Sequence, residues 1–593
     1  MLKDFICRID ELYKIIKSDE ELNFKRQSIE KLKQSLGIEQ SFSIEYYNRI
    51  SLNKEKGVVY TPYEIADYIV KNTILDKDII ENPFLKISDP ACGSGNIIIP
   101  CFRYLKNIYL KFMAEINKKH GINLNKDNIN LHIIKNNLFG FDIDKAAVQI
   151  LIIDLFCETS TLTKNFYIKD FLIDTVDVKF DVFLSNPPYI GQKVIDKEYS
   201  LNLKKIYSTY KDKGDLSYCF FQRAINCVNN KGKLSFITSR YFLESPSGRE
   251  LRTMLKEECK IYKIVDFYGI RPFKNIGIDP VIIFLQKEQN FNEKIEIIKP
   301  YCTKGKIGDD FFYSLFNGGI KNCNRFFINK LSLNNEGWIL RTDDEMNIIK
   351  KIEENCEFSL SNICDSFQGI ITGCDKAFII DKNVIRDEYI EQELIKPWLK
   401  SKLIKKGVVE QEQLYIIYSD VIKDTSLYPN AIKHISKYKD KLSLRRECKN
   451  GIRNWYELQW GRKRNIFEGT KIIFPYKSSS NRFAIDTGSY FSADVYCLKL
   501  KENSSFTYED LLCLLNSKVY EFYFKTFGKK LGNDLYEYYP NTVMKLRIPN
   551  IEKLNLKFGE KSLYDIFNLT KEEVKIIEKS VDSEYKVQST EYN

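Results

Sequence analysis

The sequence of 593 residues predicts an α/β fold, a Rossmann-like doubly wound mixed sheet, followed by a C-terminal α+β domain. Apolar strand-like runs alternate with helical stretches from about residue 60 to 286, as in doubly wound sheets. A glycine-rich turn follows the first of these runs. Beyond residue 300 the regular alternation gives way to shorter strand-like pieces and basic loops, which favours a separate second domain.

The elements follow from the hydrophobic periodicity. Near the N-terminus, Ile29, Leu32 and Leu36 recur at helical spacing among charged residues, so amphipathic helices are expected there. Helices are also predicted over 64–70, 102–119 and 562–579. The predicted strands of the sheet are 85–88, 138–141, 180–184, 233–238, 262–267 and 281–285.

These elements predict five regions along the chain. They are an N-terminal helical region at 1–55, the α/β domain at 56–300, a linker at 301–334, the second domain at 335–550, and a C-terminal helix and tail at 551–593.

Composition argues against a membrane or secreted protein and against a metal site. The chain is 44% hydrophobic and 29% charged, and no run of 18 apolar residues occurs. Its first residues lack the basic and apolar regions of a signal peptide. None of the fifteen cysteines forms a Cys-x-x-Cys pair, and there are three histidines. We therefore expect reduced thiols, a cytoplasmic location and no metal.

The net charge of +11 is concentrated in one window. Residues 433–482 contain fourteen Lys or Arg and four acids, a net charge of +10. Lysine is common throughout this chain, so the arginines of the window carry more weight. Such a concentration predicts a polyanionic partner.

The glycine-rich turn contains the first candidate site residues. It follows a predicted strand and precedes an apolar helix, which is where open α/β sheets bind nucleotides. It lacks the six-residue dinucleotide fingerprint and a following Gly-Lys-Ser/Thr, which excludes a P-loop; a purely structural turn is the alternative. The candidates are Asp89, Ala91, Gly93, Gly95 and Asn96.

Two further motifs carry acids. Asp142, followed by Ile143, ends the second strand, where a carboxylate can accept both hydrogens of a ribose diol. Asp144 is an alternative for this role. Asp170 and Phe171 could contact an adenine amine and its ring. Solvated acids are the plain alternative for each of these positions.

In the fourth motif, the predicted strand 180–184 leads into Asn186, Pro187, Pro188 and Tyr189. The prolines fix the backbone and remove N–H donors, so the Asn186 side-chain oxygen and the Pro187 carbonyl can act together as acceptors. Two acceptors match the two hydrogens of a planar amino group, and Tyr189 offers a face for the ring that carries it. This tetrapeptide predicts binding of an amino-bearing ring.

Together these motifs resemble the gamma-class, TaqI-like N6-adenine DNA methyltransferases, over residues 55 to 290. The resemblance adds Tyr60 and Thr61 as an upstream cofactor motif, and Phe273 beside the target base. The interval from Gly95 to Asp142 is longer than usual in such proteins, which suggests an inserted helix.

The resemblance implies methyl transfer from S-adenosylmethionine to adenine N6 in double-stranded DNA, with S-adenosylhomocysteine as product. Asn186, Pro187, Pro188 and Tyr189 are then catalytic, and Tyr189 and Phe273 stack on a flipped base. Asn186 also adjoins the cofactor.

The C-terminal half resembles a target-recognition domain at 366–378 and 471–496, and the segment 444–462 resembles CamA-type orphan enzymes. That implies an asymmetric A-rich site such as CAAAAA, a monomer, and no partner nuclease. The enzyme would act on the nucleoid in the bacterial cytoplasm.

Arginines in the basic window can hold phosphates or guanine edges, and aromatics can wedge against bases. A basic face over core aromatics is the alternative. The candidate DNA contacts are Arg445, Arg446, Arg453, Trp455, Tyr456, Trp460, Arg462 and Lys477.

Other functions remain open. An RNA adenine or a glutamine side chain fits the same acceptor pair, and the chain could be the methyltransferase of a restriction–modification system. A fused nuclease is not expected, because no convincing Pro-Asp…Asp/Glu-x-Lys motif occurs. Intact motifs argue against a non-catalytic DNA-binding scaffold.

Overall fold

The structure is a computed structural model. It describes residues 2–52, 60–192, 194–211, 213–273, 277–289, 294–300, 307–410, 413–502, 504–531, 535–550 and 560–581. The chain divides into two compact units, Met1–Leu340 and Arg341–Asn593.

The first unit is built on one nine-stranded mixed sheet. Its strands are β1 (Ile87–Asp89), β2 (Leu138–Asp142), β3 (Phe166–Ile168), β4 (Phe180–Ser185), β5 (Val228–Ser239), β6 (Lys260–Asp266), β7 (Pro280–Gln286), β8 (Lys294–Lys299) and β9 (Asn324–Asn329). Their order is β3-β2-β1-β4-β5-β7-β6-β8-β9. The strands from β3 to β5 are parallel, and β7 runs antiparallel between β5 and β6. The predicted α/β, doubly wound fold is confirmed.

Helices accompany this sheet on the chain. They are α1 (Leu2–Lys17), α2 (Leu22–Leu36), α3 (Phe42–Leu52), α4 (Tyr63–Thr73), α5 (Asp76–Glu81), α6 (Ile98–His120), α7 (Ile129–His132), α8 (Lys145–Thr159), α9 (Lys197–Ile206), α10 (Ser217–Cys227), α11 (Tyr241–Glu244), α12 (Arg249–Glu258) and α13 (Ile307–Asn317). Short π or 3-10 turns occupy Ile133–Asn137, Pro246–Gly248 and Lys330–Ser332.

The N-terminal helices belong to this unit rather than forming a region of their own. Apolar residues of α1 and α3, such as Phe5 and Phe42, pack against Ile150 and Ile153 of α8. Helix α8 is therefore covered on the side away from the sheet, which explains why apolar residues surround it almost completely. The predicted boundary at residue 55 does not separate a domain.

The predicted linker at 301–334 is wrong. It contains α13 and β9, and β9 pairs with β8 over six residue pairs from Lys294↔Asn329 to Lys299↔Asn324. Residues 301–306 lie outside the described part of the chain. All six predicted strands are present, whereas β3, β8 and β9 were not predicted.

The second unit contains several small sheets. Its strands are β10 (Phe358–Ser359), β11 (Cys364–Gln368), β12 (Ile379–Asp381), β13 (Ile395–Leu399), β14 (Leu414–Ile417), β15 (Lys471–Pro475), β16 (Lys477–Ser478), β17 (Ala484–Asp486), β18 (Tyr490–Phe491), β19 (Val495–Leu500), β20 (Lys529–Lys530), β21 (Tyr536–Glu537) and β22 (Arg547–Ile548). The larger sheets have the orders β11-β19-β15-β17 and β12-β14-β13-β18.

Its helices are α14 (Asp343–Glu354), α15 (Leu360–Ile363), α16 (Asp375–Phe378), α17 (Lys382–Asp387), α18 (Pro429–Ser436), α19 (Lys439–Ser443), α20 (Arg446–Lys449), α21 (Tyr508–Leu515), α22 (Lys518–Phe527), α23 (Pro540–Val543), α24 (Glu560–Ile566) and α25 (Lys571–Val581). Short 3-10 turns lie at Gln392–Leu394, Ser401–Leu403, Ser419–Val421, Thr425–Leu427 and Arg464–Ile466. This α+β architecture confirms the predicted fold of the C-terminal half.

The single C-terminal helix predicted over 562–579 is two helices, α24 and α25. Asn568 has φ 50°, which ends the first helix. Thr570 and Glu573 then exchange reciprocal hydrogen bonds that start the second. Both helices pack in the core that also contains α14 and α22.

Two chemical features of the described residues bear on the sequence expectations. No described helix is long and apolar enough to cross a bilayer. The described residues also contain no group of three or more His, Cys, Asp or Glu that could hold a metal ion. Fourteen described cysteines are free thiols, most of them buried.

Candidate active site

The candidate site lies at the carboxyl ends of β1, β2 and β4. Strand β1 pairs in parallel with both neighbours, Asp89 lying beside Gly140 and Ser88 beside Phe183. The residues that follow the three strands therefore meet at one edge of the sheet, the position where open α/β sheets bind ligands. The predicted site residues on these strand ends are brought together.

The glycine turn after β1 has the backbone that its sequence predicts. Gly93 and Gly95 have φ values of 49° and 96°, which favour glycine. A Cβ at Gly95 would lie 2.4 Å from Leu151 Cδ1, so the turn packs directly on α8. A Cβ at Gly93 would meet no atom within 4 Å, so this side of the turn is open.

The two acids at the end of β2 have different roles. Asp144 caps α8, accepting from the backbone N–H groups of Ala146 and Ala147, and it also accepts from the Tyr46 hydroxyl. Asp142 lies on the strand end itself and accepts from the N–H of Gly93 at 2.8 Å. Asp142 is therefore the carboxylate tied to the glycine turn. The adjacent Ile143 is 75% exposed and offers an apolar surface beside it.

Asp89 connects the glycine turn to the tetrapeptide Asn186–Tyr189. Its Oδ1 accepts from the Ala91 N–H at 3.0 Å and from the Ser185 hydroxyl at 2.7 Å, and Ser185 immediately precedes Asn186. Asp89 is buried, and this burial raises its pKa to about 7. The pKa of Asp142 is also raised, mainly by burial.

This electrostatic setting suits a cationic ligand. Among the described residues no Lys or Arg forms an ion pair with Asp89 or Asp142. A positive group placed between these two desolvated carboxylates would stabilise their charged forms. S-adenosylmethionine carries a sulfonium and an ammonium group, so the residues present fit the predicted cofactor.

Asp170 and Phe171 follow β3 but have internal partners. The Asp170 carboxylate accepts from the Leu172 N–H at 2.8 Å and from the Tyr199 hydroxyl at 2.7 Å. Phe171 is buried, and its ring packs against Phe183 and other core aromatics. The structure therefore gives Phe171 a place in the core, and its contact with an adenine ring remains a prediction.

The Asn186 side-chain amide is held at both ends. Its Nδ2 donates to Thr61 Oγ1 at 2.9 Å, and its Oδ1 accepts from the Tyr189 hydroxyl. Through this bond the upstream motif contacts the tetrapeptide Asn186–Tyr189 directly, and Thr61 is buried. Pro187 is buried and Pro188 is half-buried. Thr61 was predicted from the resemblance to bind cofactor; its bond to Asn186 was not predicted.

Tyr189 does not present an open stacking face in this structure. Its hydroxyl bonds to Asn186 and lies 3.3 Å from the Ile237 carbonyl oxygen, and burial raises its pKa well above the usual value. Its ring lies 6.4 Å from that of Phe273, which is itself buried. Stacking on a flipped base would require Tyr189 to give up its bond to Asn186.

The N-terminal helices reach this site, which the sequence did not reveal. The Tyr47 ring of α3 lies 5.0 Å from that of Tyr60, the first residue of the upstream motif. Buried Asp154 of α8 accepts from the N–H groups of Phe42 and Ser43 at the start of α3. The half-buried Asn96 completes the predicted cofactor residues around the turn.

The predicted DNA contacts in the second unit divide into two groups. Arg446, Trp460 and Lys477 are exposed, whereas Trp455 and Tyr456 pack partly on the core. The other three arginines have internal partners. Arg453 pairs with Asp420, and Arg462 donates to Gly369 O and Gln368 Oε1.

Arg445 links separate segments of the second unit through hydrogen bonds to their backbone. Its guanidinium donates to the carbonyl oxygens of Leu442, Thr372, Trp455 and Glu457 at 2.9–3.2 Å. These bonds occupy most of the guanidinium donors and give Arg445 a structural role, and its contact with DNA stays a prediction.

Two family models match parts of this chain. Residues 136–273 match the model described as "Eco57I restriction-modification methylase", a range that includes Asp142 and the Asn186 tetrapeptide. Residues 396–548 match the TaqI-like C-terminal specificity domain, a range that includes all eight predicted DNA contacts.

Relatives are similar to this chain over most of its length. The chain is 22% identical to the type II methyltransferase M.BstVI of Geobacillus stearothermophilus, over 89% of this chain and 98% of that protein. It is 24% identical to the type II methyltransferase M.BanIII of Aneurinibacillus aneurinilyticus, over 84% and 90%. Among solved structures, the type IIL restriction–modification enzyme MmeI in complex with DNA shares the fold with TM-score 0.56 and 14% identity, over 89% of this chain and 73% of that one.

Proposed function

We propose that this chain, an S-adenosylmethionine-dependent DNA methyltransferase of the restriction–modification type, transfers its methyl group to adenine N6 in duplex DNA. One observation carries the proposal. Two consecutive residues join the glycine turn to the tetrapeptide. Ser185 bonds to Asp89 beside the glycine turn, and the side-chain oxygen of Asn186 accepts from the Tyr189 hydroxyl.

The chemistry follows from the poor nucleophilicity of N6, whose lone pair is delocalised into the purine ring. Asn186 Oδ1 and the Pro187 carbonyl would each accept one amino hydrogen. Holding both hydrogens favours a pyramidal nitrogen and localises its lone pair for attack. S-adenosylmethionine supplies the electrophilic methyl group, and no covalent bond to the protein is needed.

Orientation of the amide is the contribution of Thr61. Because Asn186 Nδ2 donates to Thr61, the amide oxygen is the atom left to face the substrate. The incoming amino group would replace the Tyr189 hydroxyl at Asn186 Oδ1. Freed from that bond, the Tyr189 ring can stack on the flipped base, with Phe273 behind it.

Four narrower statements belong to this proposal. The resemblance of the segment 444–462 to CamA-type enzymes supports an asymmetric A-rich site such as CAAAAA and an orphan role. It also supports a monomer that acts in the bacterial cytoplasm. The curated relatives are restriction–modification methyltransferases, so the methyltransferase half of such a system is the alternative.

Asn186→Ala tests the proposal. We expect methyl transfer to duplex DNA to fall by more than roughly a thousandfold, with DNA binding largely retained, because both the acceptor and its geometry are lost. Transfer of radiolabelled methyl and single-molecule sequencing of plasmid DNA measure this. Asn229→Ala, at an exposed asparagine of the same unit, is the matched control.

Substrate class is tested in the same assay. Undiminished methylation by Asn186→Ala would refute the assignment of the catalytic residue. Methylation of RNA or of a glutamine peptide in preference to duplex DNA would refute the substrate. Methylated cytosine in place of N6-methyladenine would refute the target atom.

A further inference from the structure

Helix α20 carries an exposed apolar side chain at each end. Leu444 lies two residues before the helix and is 67% exposed, and Ile452 lies three residues after it and is 61% exposed. The helix between them has a single turn, about 6 Å long. Two large apolar side chains are thus presented to solvent from one short element.

The ends of this helix make that exposure unusual. Gly451 has φ 68° and donates its N–H to Cys448 O, and Ile452 donates to Glu447 O at 2.9 Å. At such an end, the residue after the glycine commonly packs on the residue that accepts its N–H. The residue before the N-cap commonly packs on the fourth helical residue, here Lys449.

Neither apolar side chain has the usual apolar neighbour. The helical positions that would receive Ile452 and Leu444 are Glu447 and Lys449, both charged. Packing within the helix therefore cannot explain why these two positions are apolar. Contact of these side chains with an external partner can explain it.

The backbone around these side chains is fixed. Three of the four carbonyl bonds of Arg445 tie the start of the helix to Thr372 and to the turn that contains Trp455 and Glu457. On the other side, Asp420 binds Arg453 and the N–H of Leu458. Leu444 and Ile452 are therefore held on a rigid platform, so that little ordering entropy is lost on binding.

The charge between them selects the partner. Lys441, Arg446 and Lys449 are exposed, and Asp440 is the exposed acid of this stretch. The carboxylate of Glu447 accepts from Gln459, and its pKa is lowered. A partner with regular negative charge outside and apolar stacked surfaces inside matches this pattern, and duplex DNA has both.

We propose that Leu444 and Ile452 insert as apolar wedges between base steps of duplex DNA, while Arg446 and Lys449 hold the adjoining phosphates. The proposal rests on the assignment of this chain as a DNA methyltransferase. Wedges of this kind partly unstack the bases and kink the duplex. The second unit would then contain a segment that bends DNA.

The test uses the full chain and a 40-bp mixed-sequence duplex with a fluorescent dye at each end. Leu444→Ala and Ile452→Ala should each weaken binding roughly tenfold and reduce the energy transfer that reports bending. Their salt dependence should stay that of the parent, because no phosphate contact is lost. Leu427→Ala, at a leucine 66% exposed in the same unit, should change neither.

Lys449→Gln provides the opposite pattern. It should lower the slope of log Kd against log salt by about 0.9 while bending persists. Circular dichroism on each variant confirms that the fold is retained.

Parent-like binding and bending by Leu444→Ala and Ile452→Ala would overturn the wedge. So would a loss of self-association with DNA affinity unchanged, since the apolar pair would then contact protein. Asn186→Ala, measured alongside, should lose methyl transfer but bend DNA normally. A failed wedge is thereby distinguished from a failed methyltransferase assignment.

Discussion

The edge of the sheet in the first unit and the basic segment of the second (residues 444–462) treat their charged residues in opposite ways. At the sheet edge, burial raises the pKa values of Asp89 and Asp142, and no Lys or Arg of the described residues pairs with either carboxylate. In the basic segment, Arg445 donates to four carbonyl groups of the protein and Arg453 pairs with Asp420.

The difference shows which charged groups a bound ligand would stabilise. An unpaired buried carboxylate is costly to the fold and is relieved by a cation, which is what a cofactor site requires. An arginine such as Arg445, most of whose donors bond to backbone carbonyl groups, stabilises the fold and leaves recognition to its exposed neighbours. Charge alone therefore does not identify a ligand contact; the partners of the charge do.

The largest expected effect is on folding of the second unit. Arg445→Ala removes the donors of four backbone carbonyl groups, and we expect the free energy of unfolding to fall by about 3 kcal/mol or more. Urea titration followed by circular dichroism measures this. Arg446→Ala, next along the chain and exposed, should leave stability unchanged and weaken duplex binding.

Arg445→Lys sharpens the contrast. Lysine keeps the charge but cannot reach several carbonyl groups with a planar fork, so it should rescue little stability. A stable Arg445→Ala protein with impaired DNA binding would return Arg445 to the DNA-contact group.

A smaller effect is expected on cofactor affinity. Asp89→Asn should weaken binding of S-adenosylmethionine by roughly tenfold at pH 7.5, because it removes a carboxylate that a cation stabilises. Isothermal titration calorimetry measures this, with Asp181→Asn at the start of β4 as control.

The pH dependence has a defined sign. With a pKa of about 7, Asp89 is neutral below pH 7 and ionised above it. Affinity of the parent should therefore rise from pH 6 to pH 7.5, whereas that of Asp89→Asn should stay flat. Because the folded-state pKa is raised, ionisation costs the parent stability as pH rises, so Asp89→Asn should be the more stable protein at pH 8. Equal pH profiles would contradict the role of Asp89.

The smallest effect is expected at Thr61. Thr61→Val leaves Asn186 Nδ2 without its partner, and we expect kcat to fall by about fivefold to tenfold with the Kd of the cofactor unchanged. Thr61→Ser keeps the hydroxyl and should restore kcat. A raised cofactor Kd with parental kcat would instead make Thr61 a cofactor contact.

The sequence predicted the sheet edge well because its signals are local. Each signal can be recognised from a few neighbouring residues: glycines at positive φ, an acid at a strand end, and a proline pair after a strand. The parallel pairing of β1 then brings these residues together. Strand β3, with three residues, was not predicted, whereas the equally short β1 was found because a glycine turn follows it.

The other misses depend on distant partners. The periodicity of the N-terminal helices predicts an apolar face but does not name α8 as what it covers. Likewise, nothing in the residues around Arg445 distinguishes an arginine that binds Thr372 O, 73 positions away, from one that binds phosphate. Only the three-dimensional structure separates these cases.

A base with a keto group is poorly suited to the oxygen of Asn186. In the resting site that oxygen receives a hydrogen from the Tyr189 phenol. Thymine would bring lone pairs in place of that hydrogen, leaving two oxygens facing each other at a cost of about 1–3 kcal/mol for each unpaired acceptor. Under the proposed assignment the phenol competes with the incoming base, and an amino group can displace it where a keto oxygen cannot, so discrimination would begin before any methyl group moves.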